Sequence, residues 1–185
     1  YYRPRVDKDL LRQYNEGLIA TSACLAGEVT RFAAQGDYEN CKKSAIEYSE
    51  IFPNRFYIEL QNHNIPEELA SHDILKKVAA ELDIPLVATN DNHYCMEDHW
   101  EAHDVLFCLG TSKDRNDPNR HRYEPRQFYI KSTDEMFNLF RDTPQALENT
   151  LRIAEQCKVD IPMGTYHLPN FSIPKGSGTK NPDEY

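Results

Sequence analysis

The sequence contains no apolar run approaching the ~18 residues that a membrane helix requires, so no membrane-spanning segment is expected. Basic charge is scarce. Lys and Arg total 21 against 30 Asp and Glu, a formal net charge of −9. A bare acidic domain repels a phosphate backbone, so it should not wrap nucleic acid by charge alone. Metal ions or a basic neighbouring domain would be needed to reverse that locally. The five cysteines, Cys24, Cys41, Cys95, Cys108 and Cys157, are odd in number and form no CxxC pair. That argues against a disulfide framework and for reduced thiols in the cytoplasm. The G-x-S-x-G, P-loop and G-x-G-x-x-G motifs are all missing, so none of these short signatures assigns a chemistry. No internal repeat stands out. The opening YYRPRVDKDLL has neither an initiator Met nor a signal-peptide pattern, and the closing GSGTKNPDEY looks cut. A piece of a longer protein is the expectation.

What is present suits one domain: 185 residues against the usual ~100–200. Hydrophobic residues make up 39% and charged residues 28%, enough for a packed core and against global disorder. After a polar lead-in with one short helix, Leu18 to Ser22 reads as a buried strand, and ACLAGEV as a turn. Asp37 to Phe52 has apolar residues spaced by three or four and reads as a helix stopped by Pro53. Arg55 to Gln61 is aromatic, β-branched and alternating, hence a strand. Pro66 opens a helix that runs to about Leu82, with acids in its first turn. Pro85 to Thr89 is a third strand. Glu97 to Leu109 is a helix stopped by Gly110, residues 111–126 form a long loop, and Gln127 to Lys131 is a short strand. Ser132 and Glu135 form a capping box for the next helix. Thr143 and Pro144 begin the last helix as N-cap and first helical residue. From Val159 onward Pro, Gly and Ser dominate, an extended linker. Strands alternating with helices predict βαβ units and a parallel sheet or barrel.

In such folds chemistry gathers at the C-terminal ends of the strands. Here three strands in succession end in reactive residues: Cys24 and Glu28, then Asn62 and His63, then Asn90, Asp91 and His93. Asp91 and His93, two apart on an extended run, share a face. A carboxylate beside an imidazole suits Zn²⁺ or Mn²⁺, and a thiolate from Cys24 favours zinc. The competing view makes Asp91 a turn cap, His93 a loop histidine and Cys24 a small buried hydrophobe. His63 is a loop or substrate-contact residue rather than a ligand. Cys41 and Cys108 lie on apolar helix faces and Cys95 falls where burial is expected. His99 and His103 stand four apart on one helix, a spacing that can clamp zinc, but the H-W-E-A-H order lacks the glutamate directly after the first histidine that protease chemistry needs. His72, His121 and His167 have no sequence partner.

The segments GLIATSACLAGEV, FYIELQNH, IPLVATNDNHY, EAHDVLFCLGTSK, QFYIKSTDEMF, TLRIAEQCKVDI and LPNFSIP resemble, in order, the PHP (polymerase and histidinol phosphatase) region of bacterial DNA polymerase III alpha subunits. The resemblance runs from about Val6 through nearly all of the chain. It implies an α/β fold, a distorted parallel (βα) barrel with metals at the C-terminal strand ends. The family's ligands include an early H-x-H, a T-D-H-G, a Glu and a further His, then a Cys and a D-x-H. By resemblance the metal ligands in this chain are Cys24, Asp91 and His93. No His precedes His63, so the early ligands are absent and the barrel is incomplete. Residues 1–131 then correspond to the C-terminal portion of the barrel, 132–158 to a helical segment leading toward the polymerase palm, and 159–185 to the linker.

The same resemblance implies a role in DNA replication. The parent would be a DNA-directed DNA polymerase, a nucleotidyltransferase that uses Mg²⁺. Its PHP region would bind Zn²⁺ or Mn²⁺ and support 3′–5′ exonuclease chemistry, in which water attacks a terminal phosphodiester and the ions offset the developing charge. No general base is assigned, and the chain alone is expected to be inactive. Implied partners are DNA, deoxynucleotides, a proofreading subunit and a sliding clamp. The alternatives are a catalytically silent scaffold that docks the proofreading subunit, and a stand-alone phosphoesterase of the histidinol phosphatase kind. The exit segment after the barrel strands argues against the latter. Half a barrel leaves open sheet edges, so the isolated chain is expected to self-associate or to cover those edges with its terminal segments.

Overall fold

A computed structural model describes residues 5–166 and 172–178. Helix α1 (Lys8–Gln13) leads to strand β1 (Ala20–Thr21), helices α2 (Glu28–Ala34) and α3 (Tyr38–Ile51), and strand β2 (Phe56–Gln61). Helix α4 (Pro66–Leu82) and strand β3 (Leu86–Thr89) follow, then a 3₁₀ turn at Glu97–His99, and helices α5 (Trp100–Thr111), α6 (Thr133–Leu139) and α7 (Pro144–Gln156). The three strands form one parallel sheet in the order β1-β2-β3. Ala20 pairs with Phe56 at one end of β2, and Gln61 with Thr89 at the other. This is the mixed α/β architecture expected of successive βαβ units.

The helices form where local chemistry demands. The Asp37 side chain accepts from the Asn40 amide at 3.1 Å and starts α3. Pro66 sits at the first helical position of α4 with Glu67 and Glu68 in its first turn, near the positive end of the dipole. The Ser132–Glu135 capping box of α6 is present in both directions. β2 is buried along all six residues, the pattern of a central parallel strand covered on both faces. Phe56, Ile58 and Leu60 on one face pack with Val29, Ala33, Leu75 and Val78 from α2 and α4. Full burial of side chains like Ile58 and Leu60 contributes roughly 1.5–3 kcal/mol each. Phe140 and Ala146 join the same core, so the segment after residue 131 packs against the sheet. The Asn149 side chain donates to the Leu86 carbonyl at 2.7 Å, which ties α7 to β3.

Four local expectations are corrected. ACLAGEV is not only a turn, because Glu28 begins α2. Its N-cap is Gly27, which supplies no side-chain hydrogen bond and so leaves no capping signature in the sequence. β1 covers two of the five residues from Leu18 to Ser22. Gly110 lies inside α5, which ends at Ser112 in the left-handed region with φ 53°. Gln127 to Lys131 forms no strand; it touches Tyr94 through a single parallel bridge at Tyr129, since only a few amides on each side find partners. Residues 159–166 carry no helix or strand, as a linker would. The remainder of the predicted linker, with His167 and part of LPNFSIP, lies partly outside the described residues.

Candidate functional site

The parallel sheet brings the C-terminal ends of β1, β2 and β3 to one rim. Just beyond each strand a non-glycine residue takes a left-handed backbone: Ala23 at φ 61°, Asn64 at 61° and Asp91 at 40°. Asn and Asp accept that region through local hydrogen bonding, whereas alanine gains no such relief. Strained backbone of this kind clusters where a chain must present side chains in a set direction. The turn after β1 is tight, with the Gly27 amide donating to the Cys24 carbonyl at 2.8 Å.

Cys24 is partly buried and lines a small cleft with Gln61, Glu68 and His72. Asp91 is exposed and His93 partly buried. The His93 Nδ1 lies 2.7 Å from the Asp91 carbonyl. A carbonyl only accepts, so Nδ1 donates its proton there, and in the neutral ring the lone pair then lies on Nε2. That is the tautomer a ligating imidazole needs, fixed by a second hydrogen bond. The Asp91 carboxylate stands 4.0 Å from the same ring nitrogen. β2 separates β1 from β3, so the strands that lead to Cys24 and to Asp91 are two spacings, about 10 Å, apart. Among the described residues no three His, Cys, Asp or Glu side chains gather as a metal-holding group. Asp91 and His93 thus put a carboxylate and an imidazole on one loop, and Cys24 stands at the far strand of the same rim.

His63 lies in the loop after β2, one of the two places expected of it, but it does not face outward. It is fully buried and stacks on Phe128 with ring centroids 4.1 Å apart. Its Nδ1 meets Glu68 Oε1 at 2.8 Å and its Nε2 meets the Asn90 carbonyl at 2.9 Å. Both nitrogens are occupied and no face is open, because α4 and the segment around Phe128 close over the ring. Asn90 in turn donates to Asn92 and to the Tyr129 carbonyl at 2.7 and 2.6 Å. His63 thus steadies the loop that presents Asp91 and His93. Glu28 is turned to the outer helices. Burial opposes its ionisation, but hydrogen bonds from Lys8, Ser44 and Tyr48 outweigh that and hold its carboxyl below the usual range. Cys41 and Cys108 are buried, as expected, and Cys95 is exposed instead of buried.

Two features escaped the sequence. The first is Glu59, buried on the β2 face opposite the helical core. Its carboxylate accepts from Thr21 of β1 at 2.5 Å, from Gln61 at 2.9 Å and from Thr89 of β3. One carboxylate thus joins all three strands at their C-terminal ends. An acidic residue between Ile58 and Leu60 in a strand was its only signal. The second is a ring cluster around His93. Tyr123 lies 4.3 Å and His103 5.6 Å from it, centroid to centroid. Burial, and then the neighbouring His93 ring, push the His103 imidazole below its ordinary value. His103 is therefore coupled to His93 across space rather than to His99 along the helix.

Comparison with known proteins gives this geometry a context. Residues 1–63 match the sequence profile of the PHP domain. The chain is 44% identical over 177 residues to the DNA polymerase III subunit alpha of Borreliella burgdorferi, covering 94% of this chain and 15% of that protein. It is 40% identical over 184 residues to the same subunit of Campylobacter jejuni, again 94% and 15%. It is 41% identical over 181 residues to that of Treponema pallidum, 97% and 16%. The motif resemblance therefore holds along nearly the whole chain, which spans about 15% of the length of these curated relatives.

Proposed function

We propose that this chain, a relative of bacterial DNA polymerase III alpha subunits over nearly its whole length, serves as part of such a polymerase and contributes one side of a divalent-metal site at the rim of a PHP barrel. The observation that supports this most is the shared rim of three parallel strands, where the loop after β3 carries Asp91 and His93 and the Asp91 carbonyl takes the His93 Nδ1 proton at 2.7 Å. Asp91 and His93 would hold Zn²⁺ or Mn²⁺. Cys24 would serve a neighbouring ion, and the remaining ligands would come from elsewhere in the parent. Such ions supply Lewis acidity toward a phosphodiester. The chain's own residues do the rest: His63 and Asn90 fix the loop, and Glu59 locks the strand ends so that the ligands keep their spacing. In the parent this arrangement supports 3′–5′ exonuclease chemistry, while polymerisation with Mg²⁺ and deoxynucleotides belongs to other regions. Partners follow from that role: DNA, a proofreading subunit, a sliding clamp and other replicase subunits, in the cytoplasm.

The second role is a catalytically silent scaffold that docks the proofreading subunit. Metal-dependent release of 3′ nucleotides by the full-length protein separates the two. Loss of release in Asp91→Ala supports the metal site. Release unchanged by that substitution, or none in the wild type, overturns it in favour of the scaffold.

A further inference from the structure

Residues 100–126 build a feature that the metal pair does not use. In a chain of net charge −9, one cleft is lined by four arginines, Arg115, Arg120, Arg122 and Arg126, against two carboxylates, Asp104 and Glu124. Trp100, Tyr123 and Asn116 line it as well. The arginines do not share one task. Arg120 is a brace: its side chain is almost wholly buried and grips Asp104 through both terminal nitrogens, at 2.6 and 2.7 Å. That guanidinium, chiefly, keeps the Asp104 carboxyl below the usual range, and the pair ties α5 to the loop after it. Arg115 is shared between Glu101 and Asp104.

Arg122 and Arg126 differ. Arg122 donates to the carbonyls of Asp117, Arg115 and Arg120 at 2.9, 3.3 and 3.4 Å, which position its guanidinium. Behind the Asn119 amide, it is close enough to the Asp117 carboxylate to help keep that group below its usual range, but it makes no direct hydrogen bond to a carboxylate among the described residues. Arg126 lies over the Trp100 ring, Cζ to centroid 3.3 Å, and touches Glu124 only loosely at 3.4 Å between exposed side chains. Fixed guanidinium forks suit phosphate oxygens, which they can bind in pairs. An aromatic ring beside them suits a base, because every base offers a π-face. The cleft also has an address. Tyr123 lines it and stands 4.3 Å from the His93 ring, so one side chain separates the cleft from the metal pair.

We propose that this cleft binds the backbone of a single-stranded nucleic-acid end, with Arg122 and Arg126 on phosphate and Trp100 as the platform for a base. The site deepens the exonuclease role proposed above, since it would hold the strand beside His93, but binding itself needs no metal. Trp100 is the single tryptophan of the chain, so tryptophan fluorescence reports on this cleft alone. The 185-residue chain is titrated with a short oligothymidylate and, separately, with inorganic phosphate, both in chelator. Saturable quenching by the oligonucleotide is expected, falling with added salt, and inorganic phosphate is expected to bind far more weakly. Arg122→Gln and Arg126→Gln should each weaken binding on the order of tenfold and each lower the slope of log affinity against log salt by about 0.7. Circular dichroism confirms that the variants are folded. No quenching, equal affinity for inorganic phosphate, or unchanged affinity and salt slope in both variants overturns the proposal. Because metal is absent throughout, binding that survives while Asp91→Ala leaves nucleotide release by the parent untouched removes only the metal role.

Discussion

His63 and Glu68 are locked together in the core, Nδ1 to Oε1 at 2.8 Å, while the Glu68 second oxygen accepts from the His63 amide at 2.8 Å. The Nε2 proton is committed to the Asn90 carbonyl, so the Nδ1–Oε1 contact holds one shared proton. Removing either partner leaves a buried polar group without its match. Glu68→Ala is expected to destabilise the chain by about 3–5 kcal/mol, read by urea denaturation. Loss below 1 kcal/mol would show that the pair is not an anchor.

Gly27 is required for space and not for its φ of −65°, which any residue adopts. A Cβ there would lie 2.1 Å from the Ser22 carbonyl oxygen and 3.1 Å from that of Cys24. Both are backbone atoms and cannot step aside. Gly27→Ala should cost about 1–3 kcal/mol and shift the Cys24 turn, visible as faster alkylation of Cys24. An unchanged melting temperature would contradict this.

Glu135 gives the chain an acid-sensitive joint. The Tyr129 hydroxyl, and then the Ser132 amide and hydroxyl, hold its carboxyl at about 2, against an ordinary 4.5. The folded value is the lower one, so the ionised form stabilises the fold. That stabilisation is complete above 4.5 and is lost as pH falls from there through about 2. Ser132→Ala should cost about 1 kcal/mol at neutral pH, and its deficit relative to wild type should narrow across that acid window. A deficit constant with pH would show that Glu135 does not contribute through its charge.

The thiols should separate by burial. Cys95 and Cys157 are exposed, Cys24 is intermediate, and Cys41 and Cys108 are buried. Burial first, and then Asp37, push the Cys41 thiol up to about 11, so little thiolate forms at neutral pH. Iodoacetamide followed by peptide mass spectrometry should modify Cys95 and Cys157 first, Cys24 later, and Cys41 only on unfolding. Early modification of Cys41 would mean that the α3–sheet packing opens readily.

By itself the sequence determined the elements whose signals are local. Apolar spacing and Pro53 define α3, Pro66 and its acids define the start of α4, Ser132 with Glu135 caps α6, and apolar runs mark β2 and β3. It also determined the parallel rhythm that carries Cys24 and Asp91-Asn92-His93 to strand ends. Tertiary structure decided what depends on neighbours distant in the chain. α2 begins at a glycine with no capping side chain, so only packing reveals it. His63 became a buried anchor because Glu68 and the Asn90 carbonyl take both its nitrogens. His103 left its helical partner for His93, and Arg122 and Arg126 acquired a shared cleft, because a loop without periodicity folds back over α5. Periodicity and caps act over a few residues and can be read from order alone, whereas hydrogen-bond partners and ring contacts across tens of residues exist only once the chain has closed on itself.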